Sequence, residues 1–160
     1  MGFEADETDL DLPNTDDLLD LGSLKTEIGY TLRLAQLTVF RRFFEIFGPE
    51  DIKPVQYSTL VIVESNPGVA QGRVAAALSI KKTNFVAMVS GLEVRGLILR
   101  QPSSADRRIQ GLFLTDTGAM LVRRLRSMAR QEEERLISHL GADVYSGLFE
   151  PLRQIAKGDY

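Results

Sequence analysis

Residues 74 to 118 are VAAALSIKKTNFVAMVSGLEVRGLILRQPSSADRRIQGLFLTDTG, and within this stretch the spacing of the apolar residues changes. Up to Gly96 they recur every three or four positions, which is typical of helices. From residue 97 they form two short extended runs, 97 to 101 and 109 to 114, joined by PSSADRR. A pair of helices followed by a β-hairpin predicts a winged helix-turn-helix.

Further helical segments flank this stretch on both sides. Residues 23 to 47 have an unusually wide apolar face that ends at Gly48 and Pro49, and Pro54 opens another helix. Phe85, Val86, Val89 and Leu92 are predicted to point inward from the helix over 82 to 95. After the hairpin, Thr115 is a suitable N-cap for a helix that runs towards Gly141, and residues 142 to 156 predict a last one.

The composition excludes several classes of function. The chain has 160 residues, 44% of them hydrophobic, which suits one domain with a core. It has no cysteine and one histidine, His139, and it has no phosphate-cradling glycine loop. We therefore expect no catalytic residue, metal site or cofactor. Since no apolar run is long enough to cross a bilayer, and residues 1 to 10 have neither the basic nor the apolar region typical of a signal peptide, we expect a cytoplasmic protein without a membrane partner.

The charges are segregated along the chain. Eight of the 22 acidic residues lie within residues 1 to 24, where there is no Lys or Arg, so the rest of the chain has 19 basic and 14 acidic residues. Six basic residues and two acidic residues lie between Lys81 and Arg108. This local excess predicts either a solvated face or a site for a polyanion, depending on the element that presents it.

Lys81 and Lys82 lie where a helix is predicted to begin. Cations there face the partial positive charge of the helix N-terminus, at a cost of about 0.3 to 1 kcal/mol each. A phosphate group offsets this cost, because the free backbone N–H groups and both ammonium groups converge on it. We therefore predict that this helix contacts DNA, and the alternative is a solvated helix end. The residues expected near the base edges are Lys82, Thr83, Asn84 and Ala87.

A short segment rich in small residues, 70 to 78, precedes this helix. Two of its residues, Gln71 and Arg73, are also predicted to contact DNA.

The stretch from residue 74 to 118 resembles the core of the MarR family (the multiple antibiotic resistance regulators). The most specific pieces are LEVRGLI, the wing residues Asp106 and Arg108, and LTDTG, and the resemblance extends over residues 23 to 157. It implies a winged-helix dimer that binds pseudo-palindromic DNA, and some family members respond to aromatic compounds. The expected fold is thus mostly α with a two-stranded β wing, as a winged helix-turn-helix with N- and C-terminal dimerisation helices.

This resemblance also sets the expected organisation of the chain. Residues 1 to 22 form an acidic leader, partly disordered or a short helix, and residues 23 to 160 form the MarR-like domain. Its winged helix-turn-helix spans about residues 54 to 115, between dimerisation helices at about 23 to 47 and 116 to 157.

The wing contributes three further candidate residues. On the resemblance, Arg108 enters the minor groove, while Arg107 is expected to meet phosphate. Asp106 is expected to support the shape of the loop, because a carboxylate would repel an anion. The alternative is a surface ion pair between Asp106 and Arg108, worth about 0 to 1 kcal/mol.

The predicted partners are double-stranded DNA, a second copy of the chain and a small-molecule effector, such as an aromatic carboxylate or its thioester. The expected function is that of a ligand-responsive repressor. The alternatives are a winged-helix protein-interaction module without DNA binding and a constitutive DNA-binding protein without an effector. An effector pocket would be lined by aromatic residues and Met120, with arginines available for a carboxylate, although an aromatic on a helix face is more often core; these candidates are Arg33, Phe40, Arg41, Phe44, Tyr57 and Met120.

Overall fold

The computed structural model of the protein describes residues 19 to 102 and 110 to 158, which form helices and three short strands. The chain divides into two compact units, of which the first ends at Val55 and the second begins at Gln56. The elements are α1 (Ile28–Phe47), α2 (Pro54–Ser65), β1 (Val69–Ala70), α3 (Gln71–Ala77), α4 (Lys82–Val94), β2 (Ile98–Pro102), β3 (Gln110–Leu114), α5 (Asp116–Leu140) and α6 (Ala142–Lys157). Their order confirms the predicted succession of helices, helix pair, hairpin and closing helices.

The first unit corrects the predicted helix over residues 23 to 47. A 3₁₀ turn occupies Gly22–Thr26, and α1 begins only at Ile28. Glu27 interrupts the helix because its backbone is extended, with φ −88° and ψ 122°. The Thr26 hydroxyl instead donates to the Ser23 carbonyl oxygen at 3.0 Å, so a side chain occupies a backbone acceptor of this segment. Serine and threonine often compete with helical hydrogen bonds in this way.

The second unit contains a three-stranded antiparallel sheet, in which the two predicted wing strands pair as expected and a third strand, β1, was not predicted. β2 and β3 pair from Ile98 opposite Leu114 to Pro102 opposite Gln110. β1 pairs with the other edge of β3, where Ala70 lies opposite Gly111. A Cβ atom at Gly111 would lie 2.6 Å from the carbonyl oxygen of Gly68, so glycine permits the close approach. A strand of two residues has no alternation that a sequence pattern can detect.

The helix-turn-helix is closed by a tight turn between α3 and α4. Ser79 takes up a left-handed backbone conformation, with φ 54°, and the Ile80 N–H donates to the Ala75 carbonyl oxygen at 2.9 Å. Three predicted inward residues of α4 are fully buried, namely Phe85, Val89 and Leu92. Val86 was also predicted to point inward, and this was wrong, because it is 41% exposed. Adjacent residues on a helix are about 100° apart, so Val86 cannot share the face of Phe85.

The start of α5 is held against the loop that precedes β2. Thr115 caps the helix as predicted, accepting a hydrogen bond from the Gly118 N–H at 3.0 Å and donating to the Gly96 carbonyl oxygen at 2.6 Å. Gly118 lies so close to the Leu97 carbonyl oxygen that a Cβ atom there would overlap it. These contacts fix the direction in which α5 leaves the sheet.

α6 follows α5 after Gly141, whose φ of 85° favours glycine. The Tyr145 hydroxyl donates to the Glu133 carboxylate and so links the two helices. The apolar side chains of α6 are exposed in the single chain: Val144, Leu148, Phe149, Leu152 and Ile155.

Candidate nucleic-acid interface

The N-terminus of α4 is exposed and lacks a side-chain cap. Lys81 is the N-cap residue, and its side chain cannot accept a hydrogen bond from the helix. The first hydrogen bond of α4 runs from the Phe85 N–H to the Lys81 carbonyl oxygen, at 3.0 Å. The backbone N–H groups of residues 82 to 84 therefore have no acceptor within the helix. Lys82, Thr83 and Asn84 are exposed around these amides. The residues predicted to contact DNA therefore surround a helix N-terminus that is open to an anion.

The outward face of α4 also includes Val86, which sequence analysis placed in the core rather than in the site. Val86 and Ala87 are exposed, and they follow Thr83 by one turn. Their side chains are apolar and suit contact with the methyl group of thymine. A count of helical angles from Phe85 would have placed Val86 beside Thr83.

Arg100 on β2 connects three elements of the second unit. Its Nε donates to Gln71 Oε1 at 3.2 Å, and its Nη1 donates to the Glu93 carboxylate. Its Nη2 donates to Ser90 Oγ at 3.0 Å and to the Val86 carbonyl oxygen at 3.4 Å. We call these five residues the Arg100 cluster.

The Arg100 cluster fixes the wing strand against both helices of the helix-turn-helix. Gln71 belongs to α3, while Ser90 and Glu93 belong to α4. Arg100 is 21% exposed and Glu93 is 38% exposed at the side chain, so the pair is only partly open to solvent. This role could not be predicted from the sequence, because the partners of Arg100 are 7 to 29 positions away along the chain. Gln71 was assigned to DNA contact, and its amide oxygen is occupied by Arg100.

Three predicted wing residues lie outside the described residues, namely Asp106, Arg107 and Arg108. The strands that lead to and from them are described, and the strand before the wing is anchored by Arg100. Arg73, on α3, is exposed.

Four predicted effector residues lie on α1 in the first unit. Arg33, Phe40 and Phe44 share one face, because they are seven and four positions apart. Arg33 is exposed, whereas the two aromatic rings are half-buried. Arg41 Nε is buried and donates no hydrogen bond to any described residue, and it lies 3.9 Å from Glu45 Oε1. Because this Nε is buried, a carboxylate ligand would have to approach Arg41 at its terminal nitrogens.

The other two predicted effector residues lie in the second unit. Tyr57 is half-buried on α2, and Met120 is 55% exposed on α5. Burial raises the pKa of the Tyr57 hydroxyl above its ordinary value, with the positive charge of Arg126 acting in the opposite direction. Arg126 itself forms an ion pair with Glu64 on α2 at 2.7 Å.

Residues 19 to 102 and 110 to 158 were compared with the requirements of a membrane-spanning helix and of a cluster of metal ligands. No helix there is both long and apolar enough to span a membrane. Nor do three or more histidine or carboxylate side chains in these ranges come together as metal ligands would.

Comparison with known proteins gives two findings on sequence. A model of the MarR family matches residues 50 to 109. A protein of Thauera aromatica that is assigned to transcriptional regulation of the hcr operon is 30% identical over 150 residues, which cover 92% of this chain and 90% of that protein.

Two solved structures of a transcriptional repressor have a fold similar to that of this chain. The transcriptional repressor CouR, bound to a 23-mer DNA duplex, is 40% identical, with a TM-score of 0.81 over 86% of this chain and 98% of CouR. CouR bound to p-coumaroyl-CoA is 39% identical, with a TM-score of 0.79 over 86% of this chain and 97% of CouR. These similarities confirm the predicted winged-helix fold.

Proposed function

Because this chain belongs to the MarR family and is a transcriptional regulator, we propose that it represses transcription by binding a pseudo-palindromic operator as a homodimer. A small-molecule effector releases it from the DNA. The observation that supports DNA binding best is the exposed N-terminus of α4, where Lys81 and Lys82 flank amides without acceptors. The DNA-bound structure of CouR, which is 40% identical, supports the same proposal.

Each DNA-contacting residue has a proposed role. Lys81 and Lys82 bind backbone phosphates, while Thr83 and Asn84 lie near base edges, where Asn84 offers adenine two hydrogen bonds. Gln71 and Arg73 contact the DNA from α3, Gln71 through its amide NH₂ group because Arg100 occupies its oxygen.

The wing residues remain predictions within this proposal. Arg108 enters the minor groove and Arg107 binds phosphate, while Asp106 supports the wing. Narrow minor grooves attract arginine because their negative potential is enhanced.

Homodimerisation is supported by the exposed apolar residues of α6. Five large apolar side chains on one helix exceed what a single chain normally leaves in water. A second copy with the same surface covers them on a twofold axis, and a dimer with two recognition helices matches the two halves of an operator. We place the dimerisation helices at α1, α5 and α6, with residues 1 to 22 as the acidic leader and the DNA-binding part at about residues 54 to 115.

The proposed effector is an aromatic carboxylate or its thioester. The p-coumaroyl-CoA complex of CouR supports this class, and Arg33 and Arg41 are the arginines proposed to meet a carboxylate. The other proposed effector residues are Arg33, Phe40, Phe44, Tyr57 and Met120. The ligand weakens DNA binding if it prefers the conformation that DNA does not, and by reciprocity DNA then weakens ligand binding.

Neutralising the lysines at the start of α4 tests the DNA-binding proposal. Lys81→Gln and Lys82→Gln are each expected to weaken all duplexes alike, because phosphate contacts do not depend on sequence. In fluorescence-anisotropy titrations at several salt concentrations, the slope of log affinity against log salt should fall by about 0.9 per contact, and by twice that for a symmetric dimer.

Lys157→Gln, in the last turn of α6, is the matched control, because it removes the same charge and should leave the slope unchanged. If the wild-type protein binds no duplex at low salt, the protein-interaction module is the correct alternative. If it binds operator DNA and no aromatic acid or thioester changes the affinity, the protein is a constitutive binder.

A further inference from the structure

A second basic cluster lies on α5, outside the residues assigned to DNA or to the effector. Arg123, Arg126, Ser127 and Arg130 line a surface pocket of about 270 Å³, which we call the arginine pocket. The residues are three and four positions apart, so their side chains project from one face of the helix. All four are exposed to solvent.

The arginine pocket has more positive charge than its described neighbours neutralise. Arg126 is paired with Glu64 at 2.7 Å. Arg123 and Arg130 form no ion pair with any residue in the described part of the chain. Glu133, one turn beyond Arg130, already accepts a hydrogen bond from the Tyr145 hydroxyl. Arg126 lies one turn from both Arg123 and Arg130, and like charges at this spacing repel one another, so an anion bound among the three arginines would relieve an unfavourable arrangement.

The donor set fits phosphate better than it fits a single carboxylate. Two free guanidinium groups offer paired N–H donors, and Ser127 adds a hydroxyl on the same face. One arginine satisfies one carboxylate in the bidentate geometry, whereas two arginines and a hydroxyl can serve the several oxygens of a diphosphate or of two phosphate groups.

We propose that the arginine pocket binds the phosphate groups of a coenzyme A thioester. The inference rests on the proposed function, because it assigns the thioester rather than the free acid as the effector. Met120, a proposed contact of the acyl group, is exposed one turn before Arg123 on the same helix. The helical rise separates Met120 from Arg130 by about 15 Å, a span that the pantetheine arm of coenzyme A can bridge between acyl group and phosphates.

Calorimetric titrations with three probes test this assignment. The probes are p-coumaroyl-CoA, the N-acetylcysteamine thioester of the same acid, which has no phosphate, and adenosine 3′,5′-bisphosphate, which has no acyl group. We expect Arg123→Gln and Arg130→Gln each to weaken p-coumaroyl-CoA binding about tenfold at low salt, as the loss of a charge-assisted hydrogen bond does. Their affinity for the N-acetylcysteamine thioester should be that of the wild-type protein.

Arg135→Gln is the matched control, because Arg135 is an exposed arginine of the same helix that is paired with Glu132 and lies outside the arginine pocket. It should bind all three probes as the wild type does. Thermal melts of each variant should coincide with that of the wild type, since the substituted groups are exposed.

The outcomes separate the pocket from the proposed effector. Binding of adenosine 3′,5′-bisphosphate that depends on Arg123 and Arg130 supports the pocket even if neither thioester binds, and only the aromatic effector then fails. Equal affinity of p-coumaroyl-CoA for the wild type and both variants overturns the pocket and leaves the effector class intact. Binding of none of the three probes overturns both. Weaker operator binding by the variants without any ligand also overturns the pocket, because the arginines then contact DNA.

Discussion

Replacing Gly118 with alanine is expected to lower the free energy of unfolding by about 3 kcal/mol or more, because a Cβ atom at this position overlaps the backbone carbonyl oxygen of Leu97. Backbone cannot move aside as a flexible side chain can, so the start of α5 must shift away from the loop before β2. The shift also weakens the N-cap of α5, in which the Gly118 N–H donates a hydrogen bond to the Thr115 hydroxyl oxygen. In thermal melts at one protein concentration, the melting temperature should fall by about 6 to 12 °C.

Gly91→Ala is the matched control for this substitution. Gly91 also lies within a helix, α4, and a Cβ atom there meets no atom within 4 Å. Alanine is the better helix former, so the control should gain up to about 1 kcal/mol. A melting temperature for Gly118→Ala that equals the wild-type value would mean that the helix and the loop are not in close contact.

Replacing Arg100 with glutamine is expected to reduce operator affinity about a hundredfold, because a dimer loses about tenfold at each of its two recognition helices. The substitution removes the donors that fix β2 to Gln71, Ser90 and Glu93, and it leaves the Glu93 carboxylate without its cation. The wing and α4 then lose their fixed spacing. Discrimination between the operator and altered operators should shrink, as measured by anisotropy titrations.

Two variants distinguish positioning from direct contact. Arg100→Lys keeps the charge but lacks the planar fork, so its affinity should lie between those of the wild type and Arg100→Gln. Lys82→Gln, at a proposed phosphate contact, should flatten the salt dependence, whereas Arg100→Gln should leave its slope unchanged. A flattened slope for Arg100→Gln would show that Arg100 itself binds phosphate, and wild-type affinity would show that the Arg100 cluster has no role in binding.

The parts of the fold that could be predicted from the sequence depend on local signals. The change from helical to extended spacing after Gly96 located the helix pair and the hairpin, and Pro54 and Thr115 marked helix starts that the structure confirms. Each of these signals acts within a few residues, through a fixed φ, a cap or the apolar period. The exposed N-terminus of α4 could be predicted for the same reason, since Lys81 and Lys82 immediately precede the apolar residues of that helix.

The features that could not be predicted depend on contacts between residues far apart in the sequence, or on side-chain hydrogen bonds that compete with those of a helix. Arg100 appears in the sequence as one more cation, and only the folded chain brings Gln71 and Glu93 to it. β1 has two residues and exists because Gly111 admits the backbone of Gly68. Before the late start of α1, the Thr26 hydroxyl bonds to the Ser23 carbonyl oxygen and competes with the helix, which apolar spacing does not reveal.

Selection of bound duplexes from a randomised DNA library, followed by sequencing, tests the central claim most directly. A homodimer that inserts two copies of α4 into successive major grooves should enrich an inverted repeat. The centres of its two half-sites should be about 10 to 10.5 base pairs apart, or a multiple of that spacing. Failure to enrich any sequence, or enrichment of a single site without twofold symmetry, would contradict the proposal that this protein is a dimeric operator-binding repressor.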